Sequence, residues 1–208
     1  MKKFILALVA LFAMVNVASA KDDVFVTSGS LVELKANNVN VFVEWDYSNA
    51  TLEGKKVADF LAEKGQDWQN SYESELKRAE IVFTTQLNKK SKTVTVVDDR
   101  NSADYVMTIK MGDFYYGSTG LSIVVGMGAG NAHMHADIVV TKGGAAVAEV
   151  KCDGVPGSGY GNEVRRTTSY LNLANWMVKL VNSTLLHVAV VTTGTLAVLP
   201  TGMNAISK

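Results

Sequence analysis

Between residues 68 and 87 the apolar side chains fall at Trp68, Tyr72, Leu76, Ala79, Phe83 and Leu87, in steps of four or three. That spacing predicts one continuous amphipathic helix of nearly six turns. A stripe that long needs an apolar surface to lie on, and the flanking sequence reads as sheet. Val39, Val41, Val43, Trp45 and Tyr47 alternate with Asn40, Phe42, Glu44 and Asp46, the period-2 signature of a half-buried strand. Tyr105, Met107, Ile109 and Met111 share one face of a second strand, and residues 132–141 alternate in the same way. Val24-Phe25-Val26 and Thr93 to Val97 are shorter β-branched or aromatic runs. Gly143-Gly144 predicts a hairpin turn leading into a return strand from Ala145 to Cys152.

Helical signals bracket this pattern. Val57, Phe60 and Leu61 share a face, and Gly65 is placed to stop that helix in the αL conformation. Asn88-Lys89-Lys90-Ser91-Lys92 ends the long stripe. Asn162 is a natural cap for a last helix reaching about Val181, with Val164, Leu171, Ala174, Val178 and Val181 expected on its inner face. The order is strand, two helices, several strands, one helix. We therefore expect an α+β fold: a mainly antiparallel sheet, two helices after the first long strand, and one long C-terminal helix on one face.

The ends of the chain read differently from its body. Met1-Lys2-Lys3 precedes an apolar run from Phe4 to Val17, broken by Asn16, and Ala18-Ser19-Ala20 fits a signal peptidase. A cleavable secretory signal peptide over residues 1–20 is expected, with a secreted or periplasmic product starting at or near Lys21. The run falls short of the ~20 apolar residues of a membrane span. No cysteine follows it, so no lipoprotein anchor is expected there. Residues 21–183 read as a single domain and 184–208 as an apolar extension. No Asp, Glu, Lys or Arg occurs from Leu180 to Ser207. Leu185 to Val191 and Leu196 to Leu199 are β-rich, but Thr192-Thr193-Gly194-Thr195 and Pro200 interrupt them, so no stable membrane span is expected. An added hairpin or an extended tail is expected instead, docked on the body or on a partner and able to join copies into a homo-oligomer. The whole chain has 20 basic and 20 acidic residues, and Lys2 and Lys3 lie in the leader, so the mature chain carries about −2. That balance offers no footprint for nucleic acid.

The side chains suited to chemistry are few. Asn131, His133, His135 and Asp137 point to one side of a strand, while Ala132, Met134, Ala136 and Ile138 point to the other. His133, His135 and Asp137 could share a divalent transition metal or a small ligand, or simply form a polar strip facing solvent. The other histidine, His187, is remote in sequence. Gly154 to Asn162 is glycine-rich and joins a strand to a helix. Backbone N–H groups at Gly157, Gly159 and Gly161, with Arg165 and Arg166 after them, could cradle an anion, or the segment is a flexible connection. It fits neither the dinucleotide fingerprint nor a P-loop. Gly126 to Gly130 is expected as a tight bend or bulge, and Asp98-Asp99-Arg100 as a solvated turn rather than a working acid pair. Cys152, the only cysteine, cannot form an intrachain disulfide. It reads as an inert buried thiol, with a nucleophile or an intermolecular bridge as the alternatives. No nucleophile-elbow or zinc-protease motif occurs, and nothing calls for a cofactor. Asn49-Ala50-Thr51 and Asn182-Ser183-Thr184 match the N-glycan acceptor pattern, which has no consequence in a bacterial host.

Ala103-Asp104-Tyr105-Val106-Met107 opens a strand, Gly126–Gly130 precedes the next, and Gly157-Ser158-Gly159-Tyr160-Gly161 leads to a helix from Glu163. In these features the chain resembles a group of small, uncharacterised secreted envelope proteins of Gram-negative bacteria. Over roughly residues 39–182 its element order is similar to that of the amino-terminal modules of curli-secretion and TolB-type proteins. That resemblance implies an adaptor or assembly part that binds a protein or another envelope component, and no catalysis. The chain departs from lipid-anchored members in lacking the anchor cysteine.

Overall fold

The strands marked out by alternation join into one sheet. The computed structural model describes residues 23–35, 38–118 and 130–182. The expected signal peptide, the apolar run 121–125, most of Gly126–Gly130 and the extension 184–208 lie outside the described residues. In chain order the elements are β1 (Asp23–Gly29), β2 (Val39–Asp46), β3 (Thr51–Leu52), β4 (Lys55–Lys56), α1 (Val57–Lys64), α2 (Gln66–Lys90), β5 (Val94–Val97), β6 (Tyr105–Tyr115), β7 (Ala132–Lys142), β8 (Ala145–Gly157) and α3 (Asn162–Asn182). The sheet order is β1-β8-β7-β6-β2-β5, with the short β3 beside β6 and β4 beside β3. Neighbours from β1 to β6 run antiparallel. β2 runs parallel to both β5 and β6, because the crossover through α1 and α2 returns the chain in the same direction. The fold is α+β with a mostly antiparallel sheet.

The helices lie on one face of that sheet. Val41, Met107, Ile109, Met134, Ile138, Val140 and Val150 present fully buried side chains to α2 and α3. The predicted stripe of α2 supplies Ala79, Phe83 and Leu87, all fully buried. Phe83 meets Trp45 edge-on at 5.2 Å between ring centroids. Trp68, Tyr72 and Leu76 are half-buried, and Trp68 meets Phe60 of α1 at 5.5 Å. No helix among the described residues is long and apolar enough to cross a membrane.

Three local expectations are corrected. Gly65 does end α1, its N–H donating to Leu61 O at 3.1 Å, but at φ 95° and ψ −177° rather than in αL. That extended positive-φ conformation, open mainly to glycine, lets α2 begin at the next residue. Gly154 to Gly157 are not loop: they continue β8. Pro156 is accommodated there because, among the described residues, the pairing with β1 stops at Asp153 and no described strand lies beside Pro156 on that side. The inner face of α3 is also rotated from the expected one. Val164 is exposed and Leu171 half-buried, while Arg165, Arg166 and Ser169 join Ala174, Val178 and Val181 inside.

Candidate functional site

The second face of the sheet carries no described helix, and the histidines stand on it. Their alternation is as expected: Ala132, Met134, Ala136 and Ile138 are buried beneath the helices, which sends His133, His135 and Asp137 to the open side. The register aligns these residues into rows across the strands. One row runs Asp46, Lys110, Asp137, Lys151, then Phe25, from β2 through β6, β7 and β8 to β1. Its four ionisable members alternate in sign.

The next row is irregular. Between Ala136↔Cys152 and Met134↔Val155 strand β8 has one residue more than β7. This bulge brings Asp153 beside His135, whose Nδ1 pairs with the Asp153 carboxylate. On the other flank stands Gly112, where a Cβ would lie 3.2 Å from His135 O. The absent side chain helps open a groove of about 390 Å³ bordered by Lys110, His135, Asp137, Lys151 and Asp153. His133 stacks on Tyr115 at 5.0 Å and meets His135 edge-on at 5.7 Å. Burial, and then the neighbouring His135, hold its pKa below the ordinary imidazole value, against the opposing pull of Asp113 and Glu53.

Of the expected trio, the structure brings His133 and His135 together and sets Asp137 one row along, between Lys110 and Lys151. The carboxylate at His135 is Asp153, which sequence spacing did not point to. The only sequence signal for it is that β8 carries the extra residue, and this emerges only from the pairing. Among the described residues no three His, Cys, Asp or Glu side chains form a set able to hold a metal ion. Close by, Asp113 accepts from the Thr51 hydroxyl at 2.7 Å and from Gly54 N–H at 3.0 Å, pinning the β3–β4 turn. Burial, then the Asp113 charge, raises the Glu53 carboxyl pKa.

The glycine-rich segment and Arg165 also meet, in a strap. Arg165 is buried; its Nε donates to Gly159 O at 3.0 Å and its Nη1 to Tyr116 O at 2.7 Å. These bonds tie the turn after β8 and the end of β6 to the first turn of α3. Gly157 lies where any Cβ would stand 2.1 Å from Ser169 Oγ and 2.4 Å from Arg165 O. Gly159 and Gly161 hold positive φ of 117° and 87°. Arg166 goes deeper. Its guanidinium faces the rings of Tyr72, Tyr116 and Phe114, with Glu75 Oε2 at 3.7 Å. Cys152 is buried, and burial, then Asp137, pushes its thiol pKa up to about 12. A thiol so placed is the neutral form at physiological pH and a poor nucleophile. Asp98 and Asp99 are exposed, and Asp99 accepts from Asn101 N–H at 3.0 Å, as a solvated turn does.

Fold and site together define a class: a single-sheet α+β domain with helices on one face and a charged, histidine-bearing face that no described element covers. No protein-family model and no curated protein matches the chain. Among solved structures it is similar to a dodecamer of a PelC point variant from Paraburkholderia phytofirmans, at 14% identity over 76% of this chain and 99% of that one, with a TM-score of 0.42. A second PelC dodecamer from the same organism is similar at 15% identity over 73% of this chain and 93% of that one, with a TM-score of 0.39.

Proposed function

We propose that the protein is a non-catalytic binding or assembly module of the cell envelope that docks through the bare face of its sheet. The observation that carries this reading is that face itself. Six strands lie side by side, and no described element packs over their second side. Its charges are arranged across neighbouring strands in alternating sign, as a surface that orients a partner requires. The signal-peptide pattern of residues 1–20 supports a place outside the cytoplasm.

Capture from envelope extract with the mature protein as bait, followed by mass spectrometry, tests the reading. Lys151→Glu, which alters the face and touches no core contact, should lose the captured component. Capture that is indifferent to this change overturns the reading.

A second reading is favoured by the His135–Asp153 pair at the 390 Å³ groove: a carrier of a small ligand, or of a transition metal taken by His133 and His135 alone, with Asp137 one row away. Zinc or copper titration by calorimetry separates the two. Tight binding abolished by both His133→Ala and His135→Ala would favour the carrier.

A further inference from the structure

We propose that the partner of the bare face is a second copy of the same chain, packed sheet to sheet about a two-fold axis that runs along the strands between β6 and β7. This rests on the reading of that face as a docking surface and adds the identity of what docks. The carrying observation is the juxtaposition of Asp46, Lys110, Asp137 and Lys151 in one row across four neighbouring strands. Read in one direction the charges run minus, plus, minus, plus; read in reverse they run plus, minus, plus, minus. An axis along the strands reverses the row, so it sets Lys110 against the second copy's Asp137, and Asp46 against the second copy's Lys151. The two-fold makes each contact twice. A two-fold axis along the row would instead set every charge against its own copy and cost several kcal/mol.

The neighbouring rows fit the same operation. In the row above a bulge sets two residues of β6, Gly112 and Asp113, against His135 alone, with Gly112 beside His135 across the axis. The imidazole of one copy therefore faces the place where the other has no side chain. Below, Val106 faces Thr141, and Thr108 faces Val139. Glu44 and Glu149 face each other at the margin, where Arg100 holds Glu44 at 2.9 Å and supplies the balancing charge. None of the four row residues forms a close ion pair within its own copy among the described residues, though Asp46 accepts from Ser48 N–H and feels the charge of Lys110 beside it. Six strands about 4.8 Å apart, crossed over some eight residues, offer roughly 600 Å² of flat face. With side chains standing on it, that approaches the ~800 Å² each partner gives to a standard interface.

The test is a charge exchange, read by sedimentation equilibrium on the mature chain at neutral pH and low salt. Lys110→Asp and Asp137→Lys should each weaken self-association about 100-fold, because each creates two like-charge contacts. The double variant K110D/D137K should recover dimerisation, since its residues 110 and 137 are again opposite in sign. Mixing the two single variants should give a heterodimer, which a merely misfolded variant cannot do. Unchanged far-ultraviolet circular dichroism shows that each variant is folded, while its melting temperature should fall with the lost association.

A wild type that stays monomeric to its solubility limit overturns the proposal, as does a double variant no better than the singles. If a monomeric chain still captures another envelope component in a Lys151-dependent way, the dimer fails and the docking face stands. If it captures nothing through this face, both fail.

Discussion

Gly157 shows how much of this molecule hangs on single atoms. Strand β8 brings it so close to α3 that a methyl group would meet Ser169 Oγ at 2.1 Å and a backbone carbonyl at 2.4 Å. Gly157→Ala should therefore cost about 2 kcal/mol or more in urea melts, as overpacking of a tight contact does. Adding Ser169→Ala should recover little, because the Arg165 carbonyl remains; full recovery would show that the hydroxyl alone sets the clash. His133 carries a different dependence. Its pKa is depressed in the folded protein, so the unfolded chain binds its proton more readily. Stability from this group is present above the unfolded imidazole value near 6.5 and is lost as pH falls below it. The urea midpoint should drop between neutral pH and the mid-acid range, and His133→Gln should flatten that drop. A His133→Gln profile parallel to wild type would remove this residue from the account. Cys152 belongs at this scale too, since a thiol pushed to about 12 should stay unreactive to maleimide until the fold is opened.

At the scale of elements, the long stripe makes the clearest claim. Phe83 is fully buried against Trp45, so Phe83→Ala should destabilise by ~3–5 kcal/mol in chemical denaturation. A loss below ~1 kcal/mol would mean that α2 does not anchor the sheet. Period 3.6 in α2 and period 2 in β2, β6 and β7 could be read because each buries one face continuously, so polarity reports direction. Where that link between polarity and direction breaks, sequence reading fails. Arg165 and Arg166 look like solvent-facing residues, yet both are inside: one ties two carbonyls, the other lies among three rings. Their presence rotates α3 and leaves Val164 exposed. Gly154 to Gly157 look like a linker because glycine and proline punctuate loops, whereas here glycine permits the approach of a helix. The histidine strip was readable as a strip. Its carboxylate, Asp153, was not, because partners across strands depend on register, and a one-residue bulge in β8 sets that register.

For the whole molecule, the core among the described residues is assembled from Leu31 to Val181. Truncation after Ser183 should accordingly leave a domain that melts cooperatively, measured by circular dichroism. A truncated chain without a cooperative transition would place residues 184–208 within the core. The connectivity has another result. Among the described residues β1, at one edge of the sheet, pairs solely with β8, the last described strand: Asp23 lies opposite Asp153, about 130 positions later. During synthesis β1, the first described strand, must wait for β8, the last described one. At ~5–20 residues per second, that interval is on the order of ten seconds. Throughout it Val24 and Val26, later shielded by the finished sheet, have no native neighbour to hide against. The order of the strands thus leaves the nascent N-terminal segment in need of a holding chaperone until residues 148–153 are free to pair with it, wherever the chain folds.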